Sequence, residues 1–159
     1  MSELGKLIAV VRVRGGINAR QDVRDTLRML GLTRVNHCIL LDENPAYSGM
    51  IKKVKDFVTW GEIKPEVLEK LLRNRGRLVG NKKLTDDYIK SNTKFSSVGE
   101  FARAVHSGEV KISSLLGLKK VFRLRPPKKG YESTKRPFKD FGSLGYRAEQ
   151  INDLLLRMI

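Results

Sequence analysis

An α+β fold is predicted for this chain: a small β-α-β-α-β sheet core backed by helices, with a helical insertion and a basic C-terminal extension. Three observations carry this expectation. Apolar, β-branched runs alternate with helix-periodic segments through about the first sixty residues, as in helices covering a small sheet. Apolar residues in the next stretch, 65–108, recur at helical spacing. Finally, residues 119–139 hold nine cations (Lys119, Lys120, Arg123, Arg125, Lys128, Lys129, Lys135, Arg136, Lys139) against one anion, Glu132. Pro126, Pro127, Pro137 and Gly130 keep that run out of any long helix. The expected division is a core over 1–63, a helical segment over 64–118, and over 119–159 an arm whose terminal helix packs back on the core.

Leu7–Val13 is rich in β-branched residues and reads as a strand, with Arg12 and Arg14 emerging at its end. After the Gly15-Gly16 turn, Asn18 and Gln21 have capping-box spacing, and Val23, Leu27 and Leu30 follow at helical intervals. Gly31 sits where a left-handed helix end is expected. Arg20, Arg24 and Arg28 form an i, i+4, i+8 row on this helix, fitting phosphate contact and a solvated face equally well. Val35–Leu41 reads as a second strand, broken at Asp42–Pro45. A short helix follows, with Tyr47, Met50, Ile51 and Val54 on one side and Lys52, Lys53 and Lys55 elsewhere. Phe57–Trp60 is expected to be a third strand closed by Gly61.

Pro65 opens a helix at its favoured first position, with Val67, Leu68, Leu71 and Leu72 as its apolar face and Gly76 as its stop. Arg77–Lys83 is a basic loop, and Thr85-Asp86-Asp87 caps a short helical turn through Ile89. Ser97 and Glu100 make a capping box ahead of Val98, Phe101, Ala102 and Val105, with Gly108 ending that helix. After Gly145, Ala148, Ile151, Leu155 and Met158 form one stripe, with Asp153 and Arg157 spaced for an i, i+4 pair.

The chain of 159 residues carries 32 Lys and Arg against 17 Asp and Glu, a net charge of +15. Such a balance concerns partners rather than fold: nucleic acid first, an anionic membrane second. No apolar run approaches a membrane span, and Leu7–Val11 is too short for a signal-peptide core, so no membrane partner is expected. The only cysteine, Cys38, cannot pair internally, which fits a reducing cytosol. With two histidines and one cysteine a structural zinc site is excluded. In the arm, Phe122 and Leu124 alternate with Arg123 and Arg125, so an extended chain sends pegs to one side and cations to the other. Like-charge repulsion predicts poor order there until a polyanion neutralises it; a solvated basic loop is the alternative.

Val11–Gly15, Thr26-Leu27 with Leu30-Gly31-Leu32, and above all Gly49–Val58 running into Thr59-Trp60-Gly61 resemble the universal core of family thirty of the large-subunit ribosomal proteins. The bacterial short form ends about where this core ends. Arg75-Gly76-Arg77, Leu84-Thr85-Asp86, Phe122–Pro127 and Gly145–Asn152 resemble the long form of archaea and, more distantly, eukaryotes. The match runs nearly end to end, with its motifs in order. One departure shows: Phe141 stands where a small residue or glycine is expected before Gly142. The resemblance implies a three-stranded sheet backed by helices and a structural, non-enzymatic role in the large ribosomal subunit. The implied partners are large-subunit ribosomal RNA and neighbouring ribosomal proteins, with the long form associated with the region where 5S ribosomal RNA docks. It also implies a cytoplasmic location. The RNA-binding candidates are Arg12, Arg14, Arg20, Arg24, Lys52, Lys53, Lys55, Arg123, Arg125, Lys128, Lys129, Lys135 and Arg136.

No catalytic constellation accompanies them. Gly15-Gly16 is not a phosphate-cradling loop, because neither glycine-rich pattern occurs. His37 reads as a satisfied core residue, His106 as a helix-end cation, and Cys38 as a small buried hydrophobe. The acid pairs Asp42/Glu43 and Asp86/Asp87 read as helix-start residues, and Trp60 and Tyr47 as core. No cofactor or metal is therefore expected. The rival readings are a non-ribosomal RNA- or DNA-binding protein and an RNA-modifying enzyme. The first lacks a groove-reading helix pair, and the second lacks an acid/base cluster or cofactor loop.

Overall fold

A computed structural model describes residues 7–159, apart from 43, 116 and 132. Glu43 of the first acid pair and Glu132, the arm's one anion, thus lie outside the described residues. Strand β1 (Leu7–Arg12) is buried at every position, because it runs through the middle of the sheet with helices on both faces. Alternation sends Ile8 and Val10 toward one layer and Leu7, Ala9 and Val11 toward the other. Helix α1 (Gln21–Met29) and helix α2 (Pro45–Lys53) cover the Ile8/Val10 face. The other face is covered by α3 (Pro65–Arg75), α4 (Asp86–Asn92), α5 (Val98–Ser107) and α6 (Ile151–Met158).

The sheet is larger than the resemblance implies. Strands β2 (His37–Asp42) and β3 (Val58–Glu62) flank β1 antiparallel, as a three-stranded core requires. The C-terminal extension then adds β4 (Val121–Arg123), β5 (Ser133–Pro137) and β6 (Gly142–Tyr146), giving six strands in the order β4-β2-β1-β3-β6-β5. Phe122 and Leu124 are buried while Arg123 and Arg125 are exposed, as the alternation predicts. β4 pairs with β2, and the Leu124 and Arg125 amides donate to Asn36 O (3.2 Å) and Met158 O (3.1 Å). Tyr131 adds a bond from its hydroxyl to Asn36 Oδ1 at 2.6 Å. The Leu124 and Arg125 amides are therefore expected to exchange slowly in the RNA-free protein, contrary to the disordered arm expected from charge alone. Fast exchange throughout 121–139 in that state would overturn the docked arm.

Several helix ends form as the sequence predicts. Gly31 (φ 85°) ends α1 in a Schellman arrangement, its amide donating to Arg28 O and that of Leu32 to Leu27 O. Thr85 Oγ1 accepts from the Tyr88 amide (3.2 Å) and Ser97 Oγ from the Glu100 amide (3.2 Å); such caps contribute about 1 kcal/mol each. Asn44, expected only to break the strand, caps α2 in the same way through the Tyr47 amide (2.9 Å). Others differ. Asn18 does not cap α1: it adopts a left-handed φ of 64° inside the preceding loop, and Arg20 is the N-cap without a side-chain bond. β2 starts two residues late because Asn36 (φ 69°) turns the chain. Asp153 and Arg157 do not pair; Arg157 instead donates to Lys128 O and Gly130 O, each at 3.2 Å. Gly61 does not close β3, which continues to Glu62.

The Gly145–Asn152 stretch docks the terminal helix. Asn152 Oδ1 accepts from the Lys64 amide (2.8 Å), and its Nδ2 donates to Glu62 O (3.0 Å) and Glu149 O (2.9 Å). Arg147, buried, donates to Thr59 Oγ1 and Ser143 O, both at 2.7 Å. These bonds satisfy groups that the junction of β3, β6 and α6 would otherwise leave unpaired in the interior.

Candidate nucleic-acid interface

Strand direction collects the cations. β1 and β4 finish, and β2, β3, β5 and β6 begin, at one end of the sheet. The C-terminal end of α2 leads into β3 at that end. The C-terminus of α6 reaches it as well, through the bonds from Arg125 and Lys128 amides to Met158 O and Arg157 O. Both helices carry basic residues in their last turns, where the negative end of the helix dipole favours them. Arg14, Lys55, Arg123, Arg125, Lys128 and Lys129 all follow or precede elements at this end. Among the described residues none of these six forms an ion pair. The acids Asp42, Glu62 and Glu66 lie at strand and helix ends on the opposite side, with Lys64, Lys119 and Lys120 among them, while Asp56 is the exposed acid just ahead of β3. Cations are thus in excess at the first end and mixed with acids at the other.

Arg12 corrects an expectation. It is 7% exposed, with Nε donating to Arg14 O (2.9 Å) and Nη1 to Leu32 O (2.7 Å), and burial pushes its pKa down. The side chain ties the 13–16 loop to the end of α1 and is not part of the exposed cationic surface. Arg14 lies over the Phe57 ring, 5.3 Å from its centroid, and donates to Asp56 O at 3.4 Å, leaving a half-exposed guanidinium at the rim.

The lysine triplet divides. Lys53 reaches Asp22 of α1 (3.7 Å), which Arg20 also meets at 3.4 Å. Lys55 stands exposed just ahead of β3. Lys52 instead lines a cleft of about 240 Å³ with Tyr47, Trp60 and Tyr146, on the flank rather than the end. Tyr47 is accordingly not a core residue, being exposed, whereas Trp60 is half-buried and packs against the Ile8/Val10 side of the core as expected. Arg24 sits on the exposed side of α1, its Nε donating to Gly16 O at 3.1 Å. Lys135 and Arg136 are exposed on β5, the outermost strand, where charge also serves to block edge pairing. The run 119–139 is not one patch, because Lys119 and Lys120 precede β4 at the opposite end, beside Asp42.

Two cations that sequence reasoning passed over join this end. Arg34 and Arg123 flank His37, whose pKa is lowered by burial first and then by Arg123, Arg34 and Arg12. His37 is half-buried at the strand's start, its Nδ1 3.5 Å from Thr33 Oγ1, so it belongs to the cationic rim and not to the core. Arg75, at the end of α3, lies near Arg125 and Arg77, and its Nε has no hydrogen-bond partner. Only the pairing of β4 with β2 brings 123–125 beside 34 and 75, and nothing in local sequence announces that pairing.

The remaining polar groups do structural work. Cys38 is fully buried, and burial pushes its thiol pKa up to about 12, away from nucleophilic use. His106 Nε2 lies 3.0 Å from Ile63 O, a bond joining α5 to the end of β3. Asp86 Oδ1 accepts from the Val98 amide at 2.8 Å, a bond that holds its carboxyl pKa below the usual range. Among the described residues no three His, Cys, Asp or Glu side chains gather around a metal-sized space, and no helix is long and apolar enough to cross a membrane.

Comparison with known proteins agrees with this architecture. The model of the family "ribosomal protein L30p/L7e" matches residues 8–58. A protein of Methanoculleus marisnigri named large ribosomal subunit protein uL30 is 50% identical over 152 residues, 96% of this chain and 99% of its own. The protein of the same name from Methanosphaera stadtmanae is 47% identical over 153 residues, covering 96% of this chain and all of its own. That of Methanopyrus kandleri is 48% identical over 149 residues, 92% of this chain and all of its own.

Proposed function

This chain belongs to the ribosomal protein L30p/L7e family, and from that premise we propose that it is a structural constituent of the large ribosomal subunit, in the cytoplasm, gripping ribosomal RNA with the cationic end of its sheet. The observation that carries this is the excess of cations at one end of the strands. Six exposed or half-exposed cations without acidic partners among the described residues, Arg14, Lys55, Arg123, Arg125, Lys128 and Lys129, come from three separate stretches of chain and converge on one end. Contacts of this dispersed kind fit a folded RNA backbone, since phosphates position a protein without demanding a single reading helix. Arg20, Arg24 and Lys53 extend the surface along α1 and α2. Lys52, Lys135 and Arg136 lie on its flanks. The role is architectural: the protein holds RNA segments in place for translation and performs no reaction.

The C-terminal extension supports a finer placement, near the region where 5S ribosomal RNA docks. The extension contributes Arg123, Arg125, Lys128 and Lys129 to the cationic end, and the long form it resembles is associated with that region. Neighbouring ribosomal proteins then contact the remaining surface. Sedimentation of a cell lysate through a sucrose gradient tests the proposal. The chain should travel with the large subunit and leave it at high salt; migration with free protein at low salt would sink the ribosomal reading.

A further inference from the structure

The turn between β5 and β6 holds two phenylalanines in opposite states. Phe138 lies beneath the Arg147 guanidinium, 4.9 Å from ring centroid to Cζ, and Arg147 is itself fixed by Thr59 and Ser143. Three residues on, Phe141 is 90% exposed, more than any other large hydrophobic among the described residues. Its backbone is left-handed (φ 63°, ψ 29°), with its amide bonded to Phe138 O at 3.1 Å. An aromatic residue in this conformation carries strain that glycine avoids. The following Gly142 packs against the Arg136 carbonyl so closely that no Cβ could fit. The turn is thus fixed on both sides, and the exposed ring is presented by a rigid frame.

We infer that Phe141 is a stacking residue, whose ring lies against an unpaired base of the ribosomal RNA; this deepens the function proposed above and rests on it. β6 begins at the same end of the sheet as β3, so the ring stands on the cationic rim. Lys135, Arg136 and Lys139, within six residues of it along the chain, are exposed, with Asp140 the one described acid in the same turn. That charge environment favours a nucleic acid over an apolar protein pocket. Every base has a π-face, so stacking needs no particular sequence, and a ring already held outward loses little freedom on binding. Residues held in sparsely populated backbone conformations cluster at binding sites.

The test is equilibrium binding of the full chain to transcribed large-subunit ribosomal RNA at fixed salt, with variants F141G, F141L and F141W. F141G and F141L should each weaken binding about tenfold or more, while F141W retains it. The indole of F141W should be quenched by RNA beyond any change at Trp60, the one native tryptophan. F141G should also raise Tm by about 2 °C, so its lost affinity cannot come from unfolding. Unchanged affinity of F141G and F141L overturns the inference, as does normal RNA binding coupled with poor incorporation into subunits, which would assign the ring to a protein neighbour. A wild-type chain that fails to bind the RNA sinks this contact and the proposed function together; a wild-type chain that binds while F141G binds equally sinks this contact alone.

Discussion

Raising monovalent salt from 50 to 200 mM should weaken binding to large-subunit ribosomal RNA by about 10³-fold or more, on the reckoning that about six phosphates are neutralised. Arg14, Lys55, Arg123, Arg125, Lys128 and Lys129 at the sheet end meet no acid among the described residues, and Arg34 and Arg75 stand beside them likewise, so six is a lower count. Each phosphate they neutralise releases condensed counterions, so the logarithm of affinity falls linearly with the logarithm of salt. The slope counts the contacts. Arg20 and Lys53 should add less, because both already share Asp22. Arg12 should add nothing through charge, since its guanidinium is buried against carbonyls. The sharpest form of the prediction is therefore comparative. Lys55→Gln should reduce the slope by about one, whereas Lys120→Gln, at the opposite end of β4, should leave it alone. A flat salt dependence, or equal effects of the two variants, would remove the sheet end as the RNA-gripping surface.

The division between what local sequence discloses and what it hides follows from the range of the forces involved. Thr85, Ser97 and Gly31 act within four residues of themselves, and each forms the cap or helix end that its spacing predicts. β1 was legible from its branched apolar run, and α3 from Pro65 and the spacing of Val67, Leu68, Leu71 and Leu72. β6 was not, because Gly142–Tyr146 contains two glycines and a serine and lacks a strand former's pattern. Its extended shape is imposed by pairing with β3 and by Arg147 reaching back to Thr59. The same holds for the site. Its residue types and their abundance were readable, yet which cations share a surface depends on strand pairing and helix face. Helix face sets Lys52 apart from Lys55 in the turn that follows, the antiparallel run of β4 sends Lys119 and Lys120 to the far end, and the Arg14 and Leu32 carbonyls draw Arg12 inward. Strand pairing also brings in Arg34, which carried no signal beyond being arginine, and Arg75, which was legible as part of the Arg75-Gly76-Arg77 motif but not as a neighbour of Arg125.

Gly61→Ala should destabilise the protein by at least about 3 kcal/mol, the upper part of the range for overpacking a tight interior. In a domain of this size that corresponds to a fall in Tm of about 6–12 °C. Gly61 lies inside β3, where a glycine ordinarily weakens a strand. Here an added Cβ would collide with the Ala148 carbonyl and crowd the Ile151 side chain. The turn before α6 rests directly on the strand, so relieving the collision requires α6 to lift. That motion would break the Asn152 bonds to Lys64 N and Glu62 O and uncover Ile151, Leu154 and Leu155, each now fully buried. A second substitution supplies the contrast. Gly49 lies in α2, and nothing comes within 4 Å of the place an added methyl group would occupy, so Gly49→Ala should stabilise by about 1 kcal/mol through helix propensity alone. Thermal unfolding of both variants decides the matter. If Gly61→Ala unfolds at the wild-type temperature or above, the close seating of the terminal helix on β3 is wrong, and with it the account of why the chain keeps a glycine in mid-strand.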